Sequence, residues 1–97
     1  MSEPPKSETT GLKGTPALRA ILEFLLREPT QETSVRRVAK SVPLSVATII
    51  RYLNTMTEQG WMTRRVINEG GFPGKVYLFT LTDAGIAEAQ KIMTEAA

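Results

Sequence analysis

Apolar residues recur at three- and four-residue spacings through the first predicted helix of the chain. The segment starts with Thr15 and Pro16, an N-cap residue followed by a proline at the first helical position. Pro29 disfavours helical backbone at the residue before it, so the helix is predicted to end near Arg27 or Glu28. One apolar stripe is predicted to face the core, formed by Leu18, Ile21, Leu22, Leu25 and Leu26.

A short second helix is predicted over residues 35–41, after a polar connection. Ser34 or Thr33 supplies the hydroxyl that caps its N-terminus. Apolar and basic positions separate onto two sides of this helix. The predicted inward residues are Val35, Val38, Ala39 and Val42, and the predicted outward residues are Arg36, Arg37 and Lys40.

A tight turn at Pro43 and Leu44 separates the short helix from a longer third one. Ser45 is the predicted N-cap of the third helix, which runs to about Gln59. Gly60 follows, at the position where a glycine in left-handed conformation commonly ends a helix. The buried side is predicted to comprise Leu44, Ile49, Leu53 and Met56.

The pattern then changes to one typical of a β-hairpin followed by a helix. Residues 61–67 and 76–81 are rich in β-branched and aromatic residues, and the segment 69–74 between them has turn composition. Thr82 caps a fourth predicted helix, residues 83–95, whose apolar side comprises Ile86, Ala89, Ile92, Met93 and Ala96. The predicted fold class is mostly α with a β-hairpin (α+β), in the order helix, helix, helix, strand, strand, helix.

Composition narrows the chain to one small domain without evident catalytic chemistry. Ninety-seven residues, 41% of them apolar, suffice for one modest core. Residues 1–14 are polar and rich in Pro, Ser, Thr and Gly, which predicts a disordered arm before a domain over residues 15–97. Cysteine and histidine are absent and Asp83 is the one aspartate, so we expect no metal, no cofactor and no enzyme. No apolar run is long enough to span a membrane, and we expect a cytoplasmic protein.

The basic residues concentrate in the middle of the chain. Between Ser34 and Lys75 there are seven basic and two acidic side chains, a net charge of +5, whereas the remaining residues carry −3. A positive surface between acidic flanks suits phosphate, because each neutralised phosphate releases counterions. The alternative is a solvated basic face without a partner.

Three stretches of the chain share their pattern with one superfamily. ALRAILEFLL matches a first helix, VRRVAKSVPLSVATIIRYLNTMTEQGWM matches a helix-turn-helix, and KVYLFTLTDAG matches a wing strand with the Leu-Thr-x-x-Gly start of the next helix. Over roughly residues 15–95 the chain thus resembles the winged helix-turn-helix domains of small bacterial and archaeal regulators of the MarR, ArsR, PadR and IclR kind. The resemblance implies a sequence-specific, double-stranded DNA-binding transcriptional regulator. We expect a repressor that acts as a homodimer on a palindromic operator, since no activation surface is evident.

In such a fold the third helix enters the major groove with residues of its N-terminal half on base edges. The face opposite its buried side presents the predicted base-contacting residues, Val46, Ala47, Ile50, Arg51 and Asn54. Arg51 can pair with guanine and Asn54 with adenine, and the apolar side chains can pack on thymine methyl groups. Two alternatives stay open. A phase shift by one position would place Ile50 partly in the core, and Arg51 can also be a solvated helix charge.

Two further sets of residues are predicted to bind the DNA backbone. In the second and third helices they are Ser34, Arg36, Arg37, Lys40, Ser45, Thr48 and Tyr52, and in the wing they are Arg64, Arg65 and Lys75. Alternation along the strand places Arg64 and Arg65 on opposite faces, so one of them should face DNA. For Ser45, capping is an equally good account. Trp61 and Tyr77 can stack on single-stranded bases, but their positions in the hairpin favour the core.

A homodimer is expected because a single helix-turn-helix contacts too few base pairs to define a genomic site. The first and fourth helices are the available surfaces, since Ile86, Ile92 and Met93 give the fourth helix more apolar surface than its own docking needs. The effector, if any, is unknown. Two rival functions remain: a non-regulatory DNA-binding factor for plasmid partition, replication or chromatin architecture, and a protein-interaction module in which Val46 and Ile50 form the docking patch.

Overall fold

The computed structural model describes residues 14–68 and 75–95. Its elements follow the predicted order, and each boundary lies within one residue of the predicted one. Three predicted parts lie outside the described residues: the N-terminal arm except Gly14, the hairpin turn at 69–74, and Ala96. The elements are α1 (Pro16–Leu26), α2 (Val35–Ser41), α3 (Val46–Glu58), β1 (Met62–Asn68), β2 (Lys75–Leu81) and α4 (Asp83–Glu95).

Three hydroxyl side chains cap helices at the predicted positions. Each accepts a hydrogen bond from the backbone N–H three residues later: Thr15 from Leu18 at 3.1 Å, Ser34 from Arg37 at 3.3 Å and Ser45 from Thr48 at 3.1 Å. Each cap satisfies a donor that the first helical turn leaves unpaired, which stabilises the helix by about 1 kcal/mol. Gly60, with φ of 85°, takes the left-handed conformation predicted after α3.

One hydrophobic core joins all four helices and the base of the hairpin. The largest fully buried side chains come from α1, α2 and α3, and they are Leu18, Ile21, Leu22, Val38, Ile49, Leu53 and Met56. The hairpin adds Met62, Phe79 and Leu81, and α4 adds Ala89. Leu26 and Leu44, which were predicted to face the core, are partly buried and pack against its edge. The predicted helical faces are therefore confirmed.

The hairpin is anchored to the helices by a third piece of extended chain. β1 and β2 pair antiparallel, with Arg64 opposite Phe79 and Val66 opposite Tyr77. On the other edge of β2, Thr33 exchanges two backbone hydrogen bonds with Phe79, at 2.9 and 2.8 Å. The connection between α1 and α2 thus forms a bridge to the sheet, which the sequence pattern did not predict. This bridge fixes the base of the hairpin relative to α2.

The start of α4 is tied to the end of α3 through Thr82. Its hydroxyl donates to the carbonyl of Gly60 at 2.8 Å and accepts from the N–H of Gly85 at 3.0 Å. Its own N–H donates to the carbonyl of Trp61 at 2.8 Å. These bonds bring the first turn of α4 against the backbone at Trp61. Thr82 is thus the cap that the sequence predicted.

The apolar side of α4 packs within the same chain. Ile86, Ile92 and Met93 are partly buried against the core, and Ala89 is fully buried. These side chains are covered over most of their area and keep a partial exposure, so a dimer contact through α4 stays a prediction. The longest described helices have 13 residues, and none could cross a membrane.

Candidate nucleic-acid interface

The outer face of α3 carries two large apolar side chains that the core does not use. Val46 is 52% exposed and Ile50 is 42% exposed, whereas Ile49 is completely buried. Ala47 and Arg51 are exposed on the same face, and Asn54 is half-buried. The predicted phase of α3 is therefore confirmed, and the alternative that places Ile50 in the core is wrong.

The first turn of α3 is held by paired hydroxyls. The Ser45 hydroxyl donates to the Thr48 hydroxyl at 2.9 Å and accepts from the Thr48 N–H at 3.1 Å. Capping therefore accounts for Ser45, and a phosphate contact by either hydroxyl stays a prediction. The cap keeps Val46 and Ala47 in helical conformation at the end of α3 that the fold exposes.

Tyr52 connects α3 to the start of α1. Its hydroxyl lies 3.2 Å from the Thr15 hydroxyl and shares a hydrogen bond with it. The guanidinium of Arg51 lies 5.8 Å from the centroid of the Tyr52 ring, within the range of a cation–π contact. The half-buried ring therefore supports both the orientation of α3 and the exposed Arg51 side chain. A DNA-backbone contact by Tyr52 stays a prediction.

Arg64 lies on the face of β1 that continues toward α3. Its Nη1 donates to Oδ1 of Asn54 at 3.2 Å, and its guanidinium lies 5.1 Å from the centroid of the Tyr77 ring. A contact of this kind at an exposed site is worth about 0.5–1 kcal/mol. Neither contact pairs the Arg64 guanidinium with an acidic side chain.

Arg65 projects from the opposite face of β1 and is paired with an acid. Its Nη2 donates to Oε1 of Glu32 at 2.9 Å, and its Nε donates to the other carboxylate oxygen. The hydrogen bonds from Arg65 lower the pKa of Glu32 below its ordinary value, and the same bonds raise the pKa of Arg65. Both groups therefore stay ionised at neutral pH, and the carboxylate of Glu32 offsets the charge of Arg65 locally. Strand alternation is confirmed, and it turns Arg64 rather than Arg65 toward α3.

The two hairpin aromatics differ in environment. Trp61 is partly buried and packs against the core, as predicted. Tyr77 is 41% exposed, so the expectation that it belongs to the core is wrong. The reason is the position of Tyr77 along the hairpin. The helices cover this face of β2 only as far as Phe79, which pairs with Thr33, and Tyr77 lies two residues farther out.

The remaining predicted residues lie on the surface or in caps. Arg36, Arg37 and Lys40 are exposed on α2, Ser34 is half-buried and caps α2, and Lys75 is exposed at the start of β2. Lys75 shares the face of Tyr77, since the two are separated by one residue of the strand.

Sequence reasoning missed Val66 and Glu32, and it placed Tyr77 in the core. Val66 is 47% exposed and lies opposite Tyr77, on the face of the hairpin that holds Arg64. Period-two alternation along the strand would have placed Val66 on the same face as Arg64. No sequence signal would have found Glu32, because it is 33 residues from Arg65.

The arrangement as a whole suits a duplex better than a small ligand. A convex helix face with apolar and cationic side chains continues onto a strand face that holds Arg64, Val66, Lys75 and Tyr77. Among residues 14–68 and 75–95, no cluster of three acidic side chains suited to a metal ion occurs.

Neither a protein-family model nor a curated protein sequence matches the chain. Solved structures do match. A possible transcriptional regulator from Methanosarcina mazei is 27% identical, with a TM-score of 0.63 over 84% of this chain and 68% of that chain. Diamide-treated YodB from B. subtilis is 17% identical, with a TM-score of 0.68 over 86% of this chain and 77% of that chain.

PadR from Bacillus subtilis, solved in complex with operator DNA, is 23% identical, with a TM-score of 0.62 over 77% of this chain. The match covers 45% of the PadR chain, so this chain corresponds to less than half of it. Similar matches are a PadR-family regulator from Eggerthella lenta and a MarR-family regulator from Silicibacter pomeroyi. The chain therefore has the winged helix-turn-helix fold that transcriptional regulators of the PadR and MarR type share.

Proposed function

We propose that the protein is a sequence-specific, double-stranded DNA-binding transcriptional regulator, with α3 as its recognition helix. The observation that carries this proposal is the exposure of Val46 and Ile50 beside Arg51 on one face of α3. An isolated domain gains nothing by exposing two β-branched apolar side chains on a helix. Packed on thymine methyl groups in a major groove, both would be covered.

Arg51 is the proposed base-specific anchor. It lies on the exposed face with Val46 and Ile50, and its contact with the Tyr52 ring restricts where the guanidinium can go. A guanidinium offers two parallel N–H donors that match O6 and N7 of guanine. Apolar contacts on either side would fix the register of this pairing. Specificity would therefore come from α3.

Affinity would come from cations around α3 that face phosphates. The proposed backbone contacts are Arg36, Arg37, Lys40, Arg64 and Lys75, all of them exposed. Arg65 differs, because Glu32 neutralises it on the far side of the hairpin, and we leave it out of the proposed interface. Phosphate contacts position a protein on the duplex without distinguishing sequences.

Comparison with other proteins supports the DNA partner. PadR, whose fold this chain shares, was solved with operator DNA. By the same likeness we propose a repressor without enzymatic activity, located at the nucleoid in the cytoplasm.

Selection of bound sites from random duplex DNA tests the proposal. We expect the parent protein to enrich one motif and to bind it at least about 10³-fold more tightly than random DNA. Arg51→Ala should lose roughly 10- to 100-fold in affinity and its preference at one base pair, since a bidentate contact is worth about 1–3 kcal/mol. Arg65→Ala removes the same charge from the opposite side of the hairpin and serves as the matched control.

The result of the selection distinguishes the rival functions. An Arg51→Ala variant that enriches the same motif equally well would show that α3 has been assigned the wrong role. Binding without sequence preference would favour an architectural or replication factor. If the parent binds no duplex even at low salt, the exposed apolar residues of α3 would instead favour a protein-docking surface.

We further propose that the protein binds DNA as a homodimer on a palindromic site. One recognition helix contacts only a few base pairs, and two copies related by a two-fold axis double the site. Analytical ultracentrifugation at micromolar concentration, free and with the selected duplex, should show two chains per duplex. A strict monomer under both conditions would contradict this part of the proposal.

A further inference from the structure

We infer that Asn54 does not contact a base but positions Arg64 for a DNA phosphate at the junction between α3 and the wing. This inference rests on the proposed function and identifies which of its residues acts through another. Asn54 is the ninth residue of a helix of 13 residues, beyond the N-terminal half that contacts base edges in helix-turn-helix proteins. Its carbonyl oxygen already accepts a hydrogen bond from Arg64 Nη1 at 3.2 Å.

The Arg64 guanidinium is oriented by two groups that leave its charge intact. Asn54 accepts a hydrogen bond from one terminal nitrogen, and the central carbon of the guanidinium lies 5.1 Å from the centroid of the Tyr77 ring. Within the described part of the chain, the bond to Asn54 is the single hydrogen bond of this guanidinium. A guanidinium has five N–H donors, so its remaining donors can bind a phosphate while the amide holds the side chain.

The position of Arg64 favours the backbone over a base edge as its target. Arg64 is the third residue of β1. It shares its face of the strand with Met62, which is buried at the base of the hairpin, and with Val66, which is exposed farther out. A duplex strand flanking the major groove would pass over this junction when α3 lies in the groove. The guanidinium of arginine can form two parallel hydrogen bonds with a phosphate. A side chain that is already held in place loses less conformational entropy when it forms them.

Arg65 provides the internal contrast for this inference. It is the next residue of the same strand and has the same side chain, but it faces away from α3 and is paired with Glu32. Glu32 offsets the charge of Arg65 locally, so a phosphate would have to compete with this carboxylate for the N–H donors of Arg65. Arg64 and Arg65 therefore differ in orientation and partner only.

A double-mutant cycle between Asn54 and Arg64 tests the inference. Binding of the selected duplex would be measured by fluorescence anisotropy as a function of salt for N54A, R64A and the double variant. We expect R64A to weaken binding about 10-fold and to lower the magnitude of the salt slope by about one unit. N54A alone should weaken binding several-fold, and the double variant should be no weaker than R64A. Site selection with N54A should return the parent motif.

Two comparisons separate a positioning role from a merely structural one. R65A should leave the salt slope unchanged. When R65A is combined with N54A, the fold-changes in affinity of the two single variants should multiply, as expected for independent sites. Alanine is a better helix former than asparagine, so N54A should not unfold α3. Thermal denaturation of each variant checks this directly.

Four results would overturn the inference. They are an unchanged salt slope for R64A, fold-changes of N54A and R64A that simply multiply, a changed base preference for N54A, and a salt slope reduced equally by R65A. Failure of the proposed function looks different, since the parent would then bind no duplex at low salt, and the inference would fall with it. A parent that binds its site while the cycle fails overturns the role of Asn54 alone.

Discussion

Ile49→Ala is expected to lose about 2–5 kcal/mol of unfolding free energy, whereas Ile50→Ala is expected to change it by less than about 0.5 kcal/mol. The two residues are neighbours in α3 with identical side chains, but Ile49 is completely buried and Ile50 is 42% exposed. Truncating Ile49 leaves a cavity in the hydrophobic core. Truncating Ile50 removes atoms from the exposed face of α3 and leaves no enclosed cavity. Urea denaturation of both variants measures the difference.

DNA binding should show the opposite order at the same two positions. Ile50→Glu keeps a good helix former but aims a carboxylate at the proposed groove, so we expect roughly a 100-fold or larger loss of affinity for the selected duplex. Ile49→Ala, assayed below its melting temperature, should bind nearly as well as the parent. An Ile50→Glu variant that binds normally would show that α3 is not part of the interface. An Ile50→Ala variant as unstable as Ile49→Ala would show that the buried and exposed faces of α3 are wrongly assigned.

Gly85→Ala is expected to destabilise the protein by about 3 kcal/mol, at the upper end of what overpacking costs. A Cβ at Gly85 would overlap the carbonyl oxygen of Trp61 and would lie 2.8 Å from the carbonyl carbon. The obstacle is backbone, and that carbonyl also accepts a hydrogen bond from Thr82 at 2.8 Å, so neither group can move without breaking the start of α4. For a domain of this size the melting temperature should fall by roughly 12–24 °C.

Gly60→Ala is the matched control for Gly85→Ala. Gly60 has φ of 85° and no heavy atom within 4 Å of an added Cβ, so its cost is backbone strain alone, about 1–2 kcal/mol. We therefore expect Gly85→Ala to melt at a lower temperature than Gly60→Ala. Equal melting temperatures, or a Gly85→Ala variant as stable as the parent, would mean that α4 does not pack on Trp61 in this way.

Periodicity and local chemistry were enough to predict the elements of this fold and the phase of α3. Helical spacing of apolar residues identifies the buried faces, because a helix among others buries one stripe. Thr15, Ser34, Ser45 and Thr82 mark the helix starts, since an unpaired first-turn N–H needs an acceptor nearby in sequence. These interactions span four residues or fewer, so the chain alone contains the information. The exposed position of Ile50 followed from the same count.

Contacts between distant residues could not be predicted in this way. The Thr33 bridge joins residues 46 positions apart. It determines how far the helices cover the hairpin, and for that reason Phe79 is buried and Tyr77 is exposed. The Leu-Thr-x-x-Gly pattern was visible in the sequence, but only packing against Trp61 explains why Gly85 has no side chain.

Arg64 and Arg65 show most clearly what the sequence determines and what only the tertiary structure determines. Alternation alone establishes that the two side chains point to opposite faces, because successive residues of a strand always do. Which face meets α3 depends on how the hairpin docks, and docking is a sum of many weak contacts between segments far apart in the chain. Tertiary structure places Asn54 and Tyr77 beside Arg64 and Glu32 beside Arg65, and so leaves one arginine charged toward α3 and neutralises the other.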